Sequence, residues 1–377
     1  MDTYVVKSNN YSLWLLSASS LFFSASYNIL LPVLPSYLIH IGGKSYLGLI
    51  ILLFTIAALL SRPLSGKLSD LRAGKYAIYI GLFVTIFVNI LYPWIDFVLG
   101  FLILRFIHGF STGFAPTGYT FFIKNNFFNR GRAISIQTAF YSAGMAFGPM
   151  FSSLIHVHLG INYVFLFGAL LGVVAILMVI PLKEENKQKI ATIKVSKSIL
   201  DMCIWKQSLI MFWIYLGFGI LLISSSIQAN KLGFDNKGIF FVFFSISTIF
   251  IRLLFKNKIE GLPLNKLLLY ATLMLVFASL LFSLWENKTA FVIASLFYGA
   301  SMGIFIPVLN LWSLNENSGE DGKALSTLYI FMELGIGLGS LLIGKLIIEH
   351  QSAFVYIFLV YGIISSILPI LLKKDIG

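Results

Sequence analysis

Few side chains in this sequence can do chemistry, and those few stand in unusual surroundings. Glu333 lies in an apolar stretch with no other charge between Lys323 and Lys345. Arg105 lies in a similar stretch between Asp96 and Lys124, with His108 three residues on and so on the same face of a helix. A guanidinium at mid-bilayer costs about 2.5–3.5 kcal/mol on insertion scales, so such a group normally faces a cavity or a partner. Arg105 with His108 could bind an anionic group or tune a proton site; a snorkelling Arg105 near its helix end is the other reading. A carboxyl that alternates between buried and hydrated surroundings can load and release a proton, which makes Glu333 the proton-coupling candidate. The other reading is a structural carboxyl paired with a basic neighbour such as Lys345. Asn28, Gln137 and Asn310 are candidates for a cavity wall, or for interhelical hydrogen bonds worth about 0.6 kcal/mol each.

Other chemistries lack their parts. A single Cys203 gives no intrachain disulfide and no cysteine-based metal site. His156 and His158 alternate, so they face different sides of a helix, with no second acid–base pair on the same span. No Gly-x-x-x-x-Gly-Lys-[Ser/Thr] loop is present for ATP. The expectation is a protein that is not an enzyme and needs no metal or cofactor.

The elements that must position these residues are membrane spans. Of 377 residues, 58% are hydrophobic and only 11% charged, where a soluble domain carries about 25% charged. Lipid tolerates such a surface. Spans of about 20 residues fall at 12–39, 46–65, 76–95, 97–123, 133–157, 161–182, 207–229, 238–255, 266–285, 289–313, 324–348 and 353–372. The first is too long for a secretory signal core, and similar segments follow it. The net charge of +12 does not indicate nucleic acid, because Lys and Arg are scattered through short loops. Most of them share one side, including Lys67, Lys124, Arg130, Arg132, Lys256 and Lys373, while Lys44, Lys231, Lys237 and Lys288 take the other. The positive-inside rule then puts both termini in the cytoplasm.

A basic linker at 183–206 divides the chain, predicting an N-terminal six-helix bundle over 1–182 and a C-terminal one over 207–377. The halves also match each other. Arg62 falls on Arg252, Asp70 on Glu260, and Gly109 and Gly113 on Gly299 and Gly303, all at an offset of 190. At 191, Gly144 and Gly148 fall on Gly335 and Gly339. Parallel repeats of this kind place a transport site at midplane between the halves.

Three segments carry a resemblance to a known family. Gly66-Lys-Leu-Ser-Asp70-Leu-Arg72-Ala-Gly74-Lys75 resembles the Gly-x-Leu-x-Asp-Arg-x-Gly-Arg loop signature of the major facilitator superfamily, with one extra residue between Asp70 and Gly74. Arg105-Phe-Ile-His108-Gly109-Phe-Ser-Thr-Gly113 resembles its Arg-x-x-Gln-Gly-x-Gly motif, with His at the Gln position. Gly144-Met-Ala-Phe-Gly148-Pro149 resembles the core of its antiporter motif, with Ser135, Ser152 and Ser153 replacing flanking glycines. The resemblance implies that Asp70, with Gly66, Arg72, Gly74 and Lys75, forms a cytoplasmic gate that latches to the start of the eleventh span; an ordinary turn under positive-inside topology is the plainer reading. It also implies that Gly144, Gly148 and Pro149 form a flexible face, where close helix packing is the alternative. Many family exporters carry an acid in the first span, where this chain has Asn28.

These observations predict an all-α membrane protein of about twelve helices in two pseudo-symmetric bundles, of the kind found in drug:proton antiporters. It would act as a monomer in the inner (plasma) membrane of a bacterial cell, with lipid, protons and a small molecule as partners. Its expected activity is proton-coupled export of small amphipathic molecules by alternating access. The alternatives are import of a small metabolite on the same scaffold or a transport-inactive sensor. Labelling intact cells and inverted vesicles with a membrane-impermeant amine reagent should find Lys67 and Lys194 on the same face; opposite faces would overturn the topology.

Overall fold

The computed structural model describes residues 10–71, 74–127, 130–183, 200–255, 263–317, 321–349 and 353–366. Within them each expected span is met by helix, the first of them by two. The helices are α1 (Asn10–Asn28), α2 (Leu34–His40), α3 (Leu49–Leu71), α4 (Gly74–Leu91), α5 (Val98–Asn126), α6 (Arg130–Leu159) and α7 (Ile161–Val179). After residues 184–199, which lie outside the description, come α8 (Trp205–Lys231), α9 (Ile239–Phe255), α10 (Leu264–Leu284), α11 (Lys288–Asn315), α12 (Asp321–Glu349) and α13 (Ala353–Ser365). Eight stretches among the described residues are long and apolar enough to cross a membrane, and α9 and α13 are apolar but shorter. The protein is an all-α, multi-pass membrane protein.

The first span breaks at residues 29–33. Pro32 has no backbone N–H to continue the ladder, and the chain tightens to three-residue bonds, Leu31 N to Asn28 O at 3.1 Å and Val33 N to Leu30 O at 3.0 Å. Irregular backbone at this depth must be covered by protein, and Asn28 through Leu34 are all buried.

The chain forms two compact units. One takes Met1–Val33 with Leu53–Val195, and the other takes Leu34–Leu52 with Ser196–Gly377. In the first, α6 and α7 pack on α1, and α4 packs on α5 and α7. In the second, α12 packs on α8, α11 on α9, and α10 on α11 and α13. The early segment joins the second unit because its backbone meets α12 closely. Ser340 Oγ donates to Gly48 O at 3.3 Å, and a β-carbon on Gly344 would collide with the backbone of Gly48.

Small residues set the helix spacing in both units, and they do so at equivalent places. A β-carbon on Gly144 would meet Leu21 O and one on Gly148 would meet Ala25 O; Gly335 and Gly339 stand in the same way against Phe212 O and Leu216 O. All four contacts correspond at the offset of 191. Gly109 and Gly113 face the carbonyls of Phe54 and Ala58, as Gly299 and Gly303 face those of Phe244 and Thr248, at 190. The internal repeat read in the sequence is therefore a repeat of backbone contacts. Filling such a contact forces the helices apart, so Gly144→Val and Gly335→Val should each destabilise the detergent-solubilised protein by about 1–3 kcal/mol. Gly362→Ala, whose β-carbon would meet only the Ser279 side chain at 3.1 Å and ordinary contacts beyond, should change stability by about 0.5 kcal/mol or less. Thermal unfolding followed by tryptophan fluorescence measures both.

Candidate functional site

In the first unit the buried charge is built from α5 outward. Gly109 lets α5 close on α3 at Phe54, and the Phe54 ring then lies over the Arg105 guanidinium, 4.7 Å from its carbon. Arg105 Nη1 donates to Tyr92 Oη at 3.4 Å. Tyr92 is placed by the 3-10 turn after α4 and by stacking on Phe165 of α7 at 4.8 Å. His108, one turn along α5, presents its ring edgewise to Phe54 at 5.7 Å and lies 6.1 Å from the Tyr92 ring. Arg105 is 2% exposed and His108 0%. Arg105 stands seven residues inside α5, about 10 Å from its end, and is enclosed by rings rather than reaching outward. Both His108 nitrogens are buried without a hydrogen-bond partner.

The second unit carries the same aromatic scaffold without the charge. At the offset of 190, Phe54, Tyr92 and Phe101 correspond to Phe244, Phe282 and Phe291, and Arg105 and His108 to Ser295 and Tyr298. Tyr92 and Phe101 lie 5.7 Å apart, Phe282 and Phe291 5.6 Å. There the polar groups close on themselves: Tyr298 Oη donates to Ile214 O at 3.3 Å and Ser295 Oγ to Phe291 O at 2.7 Å.

The remaining candidates divide between the units. Asn28 ends α1, its amide donating to Ser24 O at 2.8 Å and Ser24 Oγ at 3.2 Å. Gln137 is buried on α6, where its backbone carbonyl accepts from Ser20 Oγ at 3.2 Å. Close by run rings that sequence reading passed over, because in a chain with 36 Phe and 17 Tyr no single ring stands out. The Tyr27 and Tyr141 hydroxyls share a hydrogen bond between α1 and α6, and Tyr27 stacks on Phe54 at 6.1 Å. In the second unit Glu333 is 6% exposed on α12, one turn beyond Tyr329. Asn310 of α11 donates to Tyr329 Oη at 3.4 Å, and its own Oδ1 is buried without a partner. Arg252, in the last turn of α9, is within electrostatic reach of Tyr215 and Tyr329; its place in a loop-like basic run concealed it. Lys345 is exposed, twelve residues and about 18 Å further along α12, so the spacing rules it out as a partner for Glu333.

The family model for the Major Facilitator Superfamily matches residues 16–316. The chain belongs to the major facilitator superfamily. Its transporter relatives include the MFS-type transporter YhhS of Escherichia coli (strain K12), 26% identical over 332 residues, which are 83% of this chain and 80% of that one. The MFS-type transporter MJ1560 of Methanocaldococcus jannaschii is 28% identical over 173 residues, 44% of this chain and 45% of that one. Among solved structures, a D-xylose–proton symporter matches with a TM-score of 0.81 at 16% identity over 98% of each chain. The human organic anion transporter MFSD10 (TETRAN) matches at 0.73 and 16%, over 96% of this chain and 99% of that one. At such identities the structural likeness is one of fold. A transporter of this superfamily acts on small molecules.

Of the superfamily's loop motif, Gly66 and Asp70 fall in the last turns of α3, Gly74 and Lys75 open α4, and Arg72 lies outside the described residues. Gly74 stands against the backbone of Gly118 on α5. Lys75 Nζ donates to Ile180 O at 2.9 Å and to Leu182 O, capping the end of α7. Gly144 and Gly148 lie on the α6 face toward α1, and Pro149 stands inside the same helix. Removing the α7 cap in Lys75→Gln should lower stability by about 0.3–1 kcal/mol, read as a small downward shift in melting temperature. An unchanged melting temperature would show that the cap contributes nothing.

Proposed function

We propose that this transporter exports small amphipathic molecules in exchange for protons, by alternating access. On this reading it works as a monomer in the plasma membrane with both termini cytoplasmic. The observation that carries the reading is Glu333, a carboxyl 6% exposed within α12. A carboxyl group moving between that environment and a hydrated one takes up a proton in one and gives it up in the other. Two surrounding features support it. Tyr329, one turn earlier on the same helix face and hydrogen-bonded by Asn310 of α11, supplies a polar hydroxyl along α12. Gly335, two residues on, holds α12 against α8, which lets a helix shift alter the surroundings of Glu333. Export over import is favoured by the Gly144, Gly148 and Pro149 motif of α6. Proton coupling occurs on this fold in the D-xylose–proton symporter it resembles.

Reconstituted proteoliposomes with an imposed pH gradient test the reading. Glu333→Gln should reduce gradient-driven accumulation by about tenfold or more, one pK-scale unit of driving energy, while leaving substrate-for-substrate exchange intact. Full gradient-driven transport in that variant would remove Glu333 from the mechanism. Accumulation in step with inward protons on the same side, rather than counter to them, would make the protein an importer.

A further inference from the structure

We infer that Arg105 and His108 form the substrate's anion-recognising subsite, covered by the ring of Phe54, and that the cargo is a small organic carboxylate with an apolar or aromatic body. The inference rests on the transport reading above and assigns its substrate class. It starts from the comparison of the two repeats. On one scaffold of rings, the second unit fills the equivalent positions with Ser295 and Tyr298, and both close on backbone carbonyls. The first unit fills them with a cation and an imidazole, and the imidazole is fully buried with both nitrogens unpartnered. A neutral imidazole offers one N–H donor and one acceptor, and a ligand can supply the partner for both.

An anion is the ligand that this pair of side chains serves best. A carboxylate beside Arg105 can accept from the guanidinium and from the His108 N–H together, and hydrogen bonds to a charged donor are the stronger ones. The body of the ligand follows from the rings. Phe54 is partly exposed while Arg105 and His108 are not, and Phe54 also stacks on the partly exposed Tyr27. A turn of the Phe54 ring uncovers the subsite, and an apolar body can then lie where Phe54 and Tyr27 meet.

Equilibrium binding to the purified full chain tests this without any proton gradient. The probes are 4-phenylbutyrate, its neutral isostere 4-phenylbutyramide, and butyrate, followed by titration calorimetry. Wild type should bind 4-phenylbutyrate about tenfold or more tightly than the amide, and more tightly than butyrate. Arg105→Gln and His108→Phe should each weaken the carboxylate by about 10- to 100-fold and leave the amide unchanged; Arg105→Lys should restore part of the selectivity. In a Cys203→Ser background, His108→Cys should react with a maleimide on the order of tenfold faster once Phe54→Ala is added. Equal binding of acid and amide by wild type, no binding of the acid, or retained selectivity in His108→Phe would overturn the inference. So would a maleimide rate independent of Phe54. Should Arg105→Gln fail to fold, Arg105→Lys and His108→Phe decide the matter. Loss of coupling in transport with carboxylate selectivity intact would sink the role of Glu333 and leave this subsite standing.

Discussion

In hydrocarbon a polar side chain has little to bond to except the protein itself, and this constraint orders the whole molecule. Thr85, Ser224, Thr248 and Ser279 each return their hydroxyl to the carbonyl one turn earlier on their own helix. Others reach across: Ser26 Oγ donates to Gly168 O at 2.6 Å and Ser65 Oγ to Gly113 O at 2.8 Å. Among the described residues some buried polar atoms stand outside this pattern, including serine hydroxyls, the Asn310 Oδ1 and both His108 nitrogens. A serine hydroxyl can rotate toward a carbonyl, whereas the nitrogens of His108 are fixed in a rigid ring.

Close backbone approach is the second consequence of the same solvent. Lipid tails compete with apolar side chains on equal terms, so helices associate through fit and through polar contacts rather than through water exclusion. The glycines of α6 and α12 supply the fit, each pair against the first long helix of its own repeat. Once those helices are fixed, the aromatic scaffolds follow in both units, and a small number of substitutions distinguishes the scaffold that carries a cation from the one that does not.

The spans were readable because length and hydrophobicity are local properties, and the repeat was readable because glycines at a constant offset mark contacts a larger residue would prevent. The candidate residues were readable by type: a lone Arg105 or Glu333 in an apolar stretch is conspicuous. Their surroundings were not. Phe54 and Tyr92 lie 51 and 13 residues before Arg105 in a chain full of rings, and only the packing of α3 and the turn after α4 singles them out. Lys75 read as part of a charged loop, yet the end of α7, more than a hundred residues later, takes its ammonium. Pro32 and Pro35 stood in the first span from the start, but the tolerance of lipid-buried helices for proline hid the break they mark.

That break leads into the segment Leu34–Leu52, which belongs with helices made at the other end of the chain. Neither unit is therefore a contiguous stretch of sequence. During synthesis the early segment emerges before α12, the surface it will pack on, exists. Its glycine-thin backbone must wait in the bilayer through the translation of nearly three hundred residues between Gly48 and Ser340. The second unit is thus closed by the last helices, and a ribosome that stalls before them leaves it unfinished although every residue of the first unit has already been made.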